Sequence, residues 1–314
     1  MNVLSTSSMY QSLLTQLLST ENGEVSAQQQ VSSGKLGDDL SAFGQQTNAI
    51  VAAQSVQTRV TGLVNQLNQT STSLTFQQTA LTQISSIAQQ LQTALTSAQG
   101  LGSGDDLMSE VQSLFTQAAS ALNTQYNGEY MFSGGSPSTQ PFTATDMSDL
   151  TTQANVSSFF QNGSLVPVSR IDDNTTIQTG FLASDVGQSL MGVFQSIQSF
   201  QQSANGNFGG DLTSAQITFL DGAISSLDSV VSSTTQTAAQ GGDIQSQVTT
   251  ALTNQTNRQD TLQTVIGDMT NADTAKAATD LTLAQTAFEA SAQVFNTLKG
   301  MSLLNYLTPT TTTG

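Results

Sequence analysis

The feature that most constrains the fold is a run of seven heptads between Ala49 and Ala98. Two positions of nearly every heptad are apolar, which is the period of helices that wrap around one another. The two positions are Ala53, Val60, Leu67, Leu74, Leu81, Ala88, Leu95 and Val56, Leu63, Thr70, Gln77, Ile84, Leu91, Ala98. Thr70 and Gln77 interrupt the run, and polar residues there can set the register of a helix pair. The run predicts one helix of roughly 50 residues, about 75 Å long, and so an elongated molecule.

Amphipathic helices are also predicted at both ends of the sequence. A seam at heptad spacing follows Leu281, Phe288 and Phe295 within a final helix over Ala275–Leu307, and a stripe of five apolar residues begins at Tyr10. Such helices are marginal alone in water, so each needs a partner helix from this chain or another copy. The predicted interface residues are Tyr10, Leu13, Leu14, Leu17, Leu18, Leu281, Phe288, Phe295, Leu298, Leu303 and Leu304. The spacing is equally compatible with ordinary core helices of a bundle.

The middle of the chain changes character. The segment NGEYMFSGG predicts a turn and a short aromatic strand, and residues 136–184 carry three of the four prolines among short strand-like runs. Helical periodicity returns at Asp185, and two further helices are predicted on either side of Gly241-Gly242. The predicted fold is mainly α: an elongated bundle of long coiled-coil helices from both chain ends with a small β-rich inserted domain. Its parts are terminal helices at 1–44 and 275–314, a helical rod at 45–135 and 185–274, and the insertion at 136–184.

The charge of the chain argues against nucleic-acid and membrane partners. The net charge is −16, and the six basic residues are scattered singly, so no basic patch can hold phosphates. An anionic membrane surface would repel the chain, and no apolar run is long enough to cross a bilayer. The first residues are not expected to be a cleavable signal peptide, because they lack a basic segment followed by an unbroken apolar run.

No catalytic or metal site is predicted. The sequence has no Cys and no His, which removes thiol nucleophiles, imidazole acid–base chemistry and soft metal ligands. Acidic pairs occur at Asp38-Asp39, Asp105-Asp106 and Asp172-Asp173, but all three lie in turn-like sequence without the spacing of a calcium loop. We therefore expect no enzymatic activity and no cofactor.

Two stretches resemble the flagellin family. QQQVSSGKLGDDLSAFG (Gln28–Gly44) is similar to the family's amphipathic helix, basic bend and acidic entry to a long helix, and Gly267–Leu307 is similar to its C-terminal signature. Within the family, YMFSGG (Tyr130–Gly135) resembles the hook-associated protein 3 branch, which joins hook to filament.

The resemblance implies a tube-forming structural subunit outside the cell, exported through the flagellar channel. It implies contacts with other copies of the chain, with a neighbouring hook-associated protein and with flagellin, and an export chaperone at the C-terminal helix. The terminal helices would form an inner layer and the insertion would face outward. Filament flagellin is the first alternative. A cytoplasmic helical-hairpin signalling module and a secreted enzyme with a helical stalk are the others.

Overall fold

The computed structural model describes the backbone of residues 2–307 and the side chains of residues 8 and 11–297. Within these residues, long helices from both chain ends flank a segment with short strands, which confirms the predicted fold class. The helices are α1 Asn2–Ser33, α2 Thr47–Leu101, α3 Leu107–Leu122, α4 Ala183–Gln201, α5 Ser214–Thr270 and α6 Thr274–Leu307. The strands are β1 Gln125–Tyr126, β2 Glu129–Tyr130, β3 Val168–Asp172 and β4 Thr175–Gln178, and 3-10 helices span Leu40–Gln46, Met147–Thr151 and Val156–Phe159.

The chain divides into two units, which are described separately below. The central unit is Val60–Arg258. The terminal unit comprises the described residues up to Arg59 and from Gln259 onward, and it contains α1 and α6.

In the central unit, α2 and α5 run antiparallel in one register. Three of the polar side-chain pairs that join them lie seven residues from one another on both helices. The pairs are Gln99 with Asp221, Gln92 with Asp228, and Ser85 with Thr235. Because the heptad is the repeat of a helix pair, this spacing keeps the polar contacts on one flank of the apolar seam.

Gly241 and Gly242 lie inside α5, so the prediction of two separate helices there is wrong. Gly241 is buried, and a Cβ at this position would overlap Gln78 Oε1 and lie 2.9 Å from Leu81 Cδ1. The missing side chain therefore lets α5 approach α2 closely. Glycine inside a helix costs only about 0.5–1 kcal/mol relative to alanine, which packing along 57 residues can offset.

The core of the central unit is centred on phenylalanine. Phe115 of α3 meets Phe194 of α4 edge to face at a centroid distance of 5.7 Å, and Phe142 lies 6.3 Å from Phe115. Asn123, just after α3, holds both backbone groups of Phe142: its Nδ2 donates to the Phe142 carbonyl at 2.8 Å, and its Oδ1 accepts from the Phe142 N–H at 3.0 Å. All three phenylalanines are fully buried.

The two polar residues that interrupt the α2 heptads form hydrogen bonds with the segment that follows α3. Thr70 Oγ1 lies 3.0 Å from Ser169 Oγ on β3, and Gln77 Nε2 donates to the Met131 carbonyl at 3.3 Å. Polar groups that are removed from water need hydrogen-bond partners. These two residues therefore fix where the non-helical segment lies along α2.

Two antiparallel hairpins complete the central unit. β1 and β2 are joined by Asn127-Gly128 with φ of 51° and 80°, the positive angles of a type I′ turn. β3 and β4 pair with a bulge between Arg170 and Asp172, and this second hairpin packs Ile171 and Ile177 against an apolar cluster on α2 and α5.

Polar contacts from α5 also hold the β3–β4 hairpin. Gln255 Nε2 donates to Asp172 Oδ1 at 3.2 Å, and Arg258 Nη1 lies 3.8 Å from Asp172 and 3.5 Å from Asp173. The backbone N–H of Asp173 most strongly, and then the Gln255 amide, lower the pKa of Asp172 below its usual value. The Asp172 carboxylate is therefore charged at neutral pH and can accept these contacts.

Candidate assembly surface

In the terminal unit, α1 packs against α6 within one chain. The bend after α1 forms an antiparallel bridge with the linker between α5 and α6, in which the Leu36 N–H donates to the Thr270 carbonyl at 2.8 Å and the Ala272 N–H to the Gly34 carbonyl at 2.9 Å. Gly34 ends α1 with a φ of 68°, a conformation that glycine adopts without a steric penalty. Because the end of α1 is tied to the beginning of α6, the two helices run antiparallel.

Asp273 fixes the start of α6. Its Oδ1 accepts from the backbone N–H groups of Ala275 and Lys276, both at 3.0 Å, which are donors that the first turn of a helix leaves without intrahelical partners. Lys276 Nζ also contacts Asp280 Oδ2 at 3.0 Å, one turn further on. The position of α6 is thus set by its own first turn and by the bridge to Gly34.

The predicted seam residues are only partly covered in this pairing. Leu13, Leu17, Leu281, Phe288 and Phe295 are half-buried. Fully buried positions on the two helices within the described residues are alanines, Ala27 and Ala277. The side chains of Tyr10, Leu298, Leu303 and Leu304 lie outside the described residues. The assignment of all these residues to an assembly interface stays a prediction.

An exposed apolar stripe lies on each helix beside the paired face. On α1, Leu14, Leu18 and Val25 are 41%, 51% and 50% exposed, and steps of four and seven residues keep them on one face. On α6, Leu283 and Val294 are 65% and 49% exposed and lie eleven residues apart, again on one face. We define these five residues as the exposed stripes.

The sequence predicted part of this surface. Leu14 and Leu18 belong to the predicted interface, whereas Leu283 and Val294 lie off the heptad seam and were missed. The signal that could have found them is apolar character at positions outside the seam, because a helix with one partner needs only one apolar face. Apolar side chains on a second face indicate a second contact.

Among the residues that the structure describes, no group of three His, Cys, Asp or Glu side chains could hold a metal ion. No helix in the described range has the length and apolar character needed to cross a membrane.

Comparison with known proteins identifies the family. Residues 4–136 match the bacterial flagellin N-terminal helical region, and residues 224–307 match the bacterial flagellin C-terminal helical region. Together the two matches span well over half of the chain. Among curated proteins, none matches the sequence significantly.

Two solved structures share the fold. One is described as a flagellar hook-associated protein from Vibrio parahaemolyticus, with a TM-score of 0.57 and 16% identity over 74% of this chain and 99% of that chain. The other is FlgL from Bacillus cereus, with a TM-score of 0.54 and 13% identity over 68% of this chain and 97% of that chain. At these identities the likeness extends to the fold, and the two helical-region matches carry the assignment. The chain therefore belongs to the flagellin family, whose members are structural proteins of the bacterial flagellum.

Proposed function

We propose that this chain is a tube-forming adaptor that joins the flagellar hook to the filament. The observation that carries the proposal is the pair of exposed stripes on α1 and α6, which leave apolar surface in water on helices already paired within one chain. The sequence YMFSGG and the solved structure that is described as a flagellar hook-associated protein favour the junction over the filament.

The free energy that these contacts contribute favours a closed ring over pairing of two copies. Burying a whole leucine or valine side chain contributes roughly 1.5–3 kcal/mol, so a half-exposed one contributes on the order of 1 kcal/mol when it is covered. Five such residues contribute about 5 kcal/mol, which is near the lower end of the roughly 4–15 kcal/mol cost of association. A contact that covers only one of the two stripes therefore gains less than this cost, whereas a subunit with a neighbour on each stripe covers all five residues. This delays polymerisation until the correct neighbours are present.

The parts of the chain take different places in this assembly. Residues 1–44 and 275–314 form the inner coiled-coil layer and become fully ordered there, residues 45–135 and 185–274 form the rod around it, and residues 136–184 face outward. The partners are other copies of this chain, a neighbouring hook-associated protein and flagellin. Before export, a chaperone covers the apolar face of α6.

The proposed location is extracellular, at the hook–filament junction. Export proceeds through the flagellar channel. A chain with no cysteine suits this route, because it reaches its stable fold outside the cell without a disulfide-forming step.

Filament flagellin is the second candidate, since it belongs to the same family. A junction protein is scarce and confined to one end of the filament, whereas filament flagellin is abundant along its length. Family membership argues against the signalling module and the secreted enzyme, because this is a family of structural proteins.

Immunogold labelling of intact cells with an antibody against residues 136–184 separates the two candidates. Label at one spot at the filament base is expected, and a strain deleted for this gene serves as the control. Label along the whole filament would replace the junction role with that of filament flagellin.

A further inference from the structure

The terminal unit contains a cleft whose lining includes none of the residues of the exposed stripes. Its volume is about 860 Å³, and the bend after α1, the first turns of α2 and the last turns of α5 line it. Leu40, Phe43 and Ile266 supply an apolar floor, on which Leu40 is 47% exposed. Binding sites are usually clefts with an apolar lining and a small number of convergent polar groups.

The charge around the cleft is strongly one-sided. Asp38, Asp260 and Asp268 line it with exposed carboxylates, and Lys35 is the one basic residue in its lining. No ion pair formed within the described residues engages any of the three carboxylates. Like charges held near an apolar floor attract a cationic partner and repel an anionic one.

We propose that this cleft binds a basic segment with apolar anchors from a different protein. The apolar floor accepts one or two aliphatic side chains of that segment, and the three aspartates pair with lysine or arginine beside them. An apolar centre with a charged rim is the usual arrangement of a specific protein interface.

A second copy of this chain fits the cleft poorly. Pairing with three aspartates needs several basic residues close together, but the six basic residues are scattered singly along the sequence, and Arg170 and Arg258, which come together at Asp173, already pair with that carboxylate. Each copy also carries a net charge of −16, so two copies repel each other wherever no local pairing compensates. The occupant is therefore expected to come from another chain. This inference is independent of the junction role, because the cleft and the exposed stripes share no residue.

The test measures binding of a short fluorescein-labelled peptide of leucine and lysine to the full chain by fluorescence anisotropy. The same peptide with glutamate in place of each lysine is the peptide control. The test variant is Asp38→Asn/Asp260→Asn/Asp268→Asn. The matched control is Asp106→Asn/Asp211→Asn/Asp243→Asn, which changes net charge equally at exposed positions of the central unit.

An exposed ion pair changes an equilibrium by about 1.5- to 5-fold, so loss of three pairs is expected to weaken peptide binding by roughly 3- to 100-fold. The control triple variant should bind within about twofold of the wild type, and the glutamate peptide should not bind. Leu40→Gln should weaken binding, whereas Leu101→Gln, a change at an exposed leucine of the central unit, should not.

Two results would overturn the proposal. Equal weakening by the two triple variants would mean that the peptide senses only bulk charge. Loss of self-association in the cleft variant, measured by sedimentation velocity with no change in peptide binding, would assign the cleft to a second copy of the chain.

Discussion

Replacing Gly241 with alanine tests whether this glycine sets the α2–α5 distance. The new Cβ would overlap Gln78 Oε1, whose amide donates from Nε2 to the Ala238 carbonyl at 3.0 Å, and would lie 2.9 Å from Leu81 Cδ1. Loss of that hydrogen bond costs about 1 kcal/mol. Overpacking against the buried Leu81 side chain costs about 1–3 kcal/mol, and the higher helix propensity of alanine returns about 1 kcal/mol. The free energy of unfolding should therefore fall by about 1–3 kcal/mol.

Gly242 provides the matched control, because a Cβ at this neighbouring position of α5 meets no atom within 4 Å. Gly242→Ala gains helix propensity without overpacking, so its free energy of unfolding should rise by about 0.5–1 kcal/mol. Urea unfolding followed by far-UV circular dichroism gives both values. The two substitutions are chemically identical, so their difference reports packing alone.

A double-mutant cycle with Gln78→Ala identifies the atoms responsible. Removing the Gln78 side chain frees space for the new Cβ, so Gly241→Ala should cost less in that background, with a coupling energy of about 1 kcal/mol. A Gly241→Ala variant as stable as Gly242→Ala, or a cycle without coupling, would refute the close-approach argument.

Three further predictions address assembly, acid sensitivity and the core. Leu14→Ser/Leu18→Ser should abolish polymerisation measured by sedimentation while leaving the thermal midpoint of the monomer within a few degrees of the wild type, since both side chains are exposed; unchanged polymerisation would remove the stripe on α1 from the interface. The pKa of Asp172 is lowered in the folded state, so its stabilising contribution is present above the ordinary value of 3.8 and is lost as the pH falls below it; the hydrogen-exchange protection factors of β3 and β4, which are corrected for the intrinsic exchange rate, should fall in that acid range, and Asp172→Asn should reduce this pH dependence. Asn123→Ala should lower the free energy of unfolding by about 1–3 kcal/mol in urea, because it leaves the N–H of the buried Phe142 without its partner, while the Phe142 carbonyl keeps a hydrogen bond from Gln140 Nε2 at 2.8 Å; a loss below about 0.5 kcal/mol would contradict this account.

Local periodicity predicted the long helices well. The heptads between Ala49 and Ala98 correspond to α2 at Thr47–Leu101, and the final helix predicted from Ala275 begins at Thr274. Periodicity is a property of neighbouring residues along one helix, so it can be read without knowing what the helix contacts. The prediction of a helix boundary at Gly241-Gly242 was wrong, because Gly241 allows close packing of two helices and does not end one.

The candidate surface was predictable only in part. The sequence indicates apolar stripes on both terminal helices, but it does not say which face α1 and α6 bury against each other. That pairing leaves Leu283 and Val294 exposed and half-buries Phe288 and Phe295. Exposure depends on the partner helix, which the spacing of apolar residues along one helix cannot specify.

The sequence by itself determined that this is a helical, acidic chain with flagellin-like ends, because heptads, charge and the terminal motifs are all local or additive properties. The tertiary structure alone decided which distant residues come together: the β3–β4 hairpin held by Gln255 and Arg258, the antiparallel register of α2 and α5, and the cleft that Asp38 and Asp260 both line. The physical reason is that these features depend on distances through space between residues far apart in the chain. The same helices could be arranged in many ways that all satisfy this periodicity, and side-chain packing selects one arrangement.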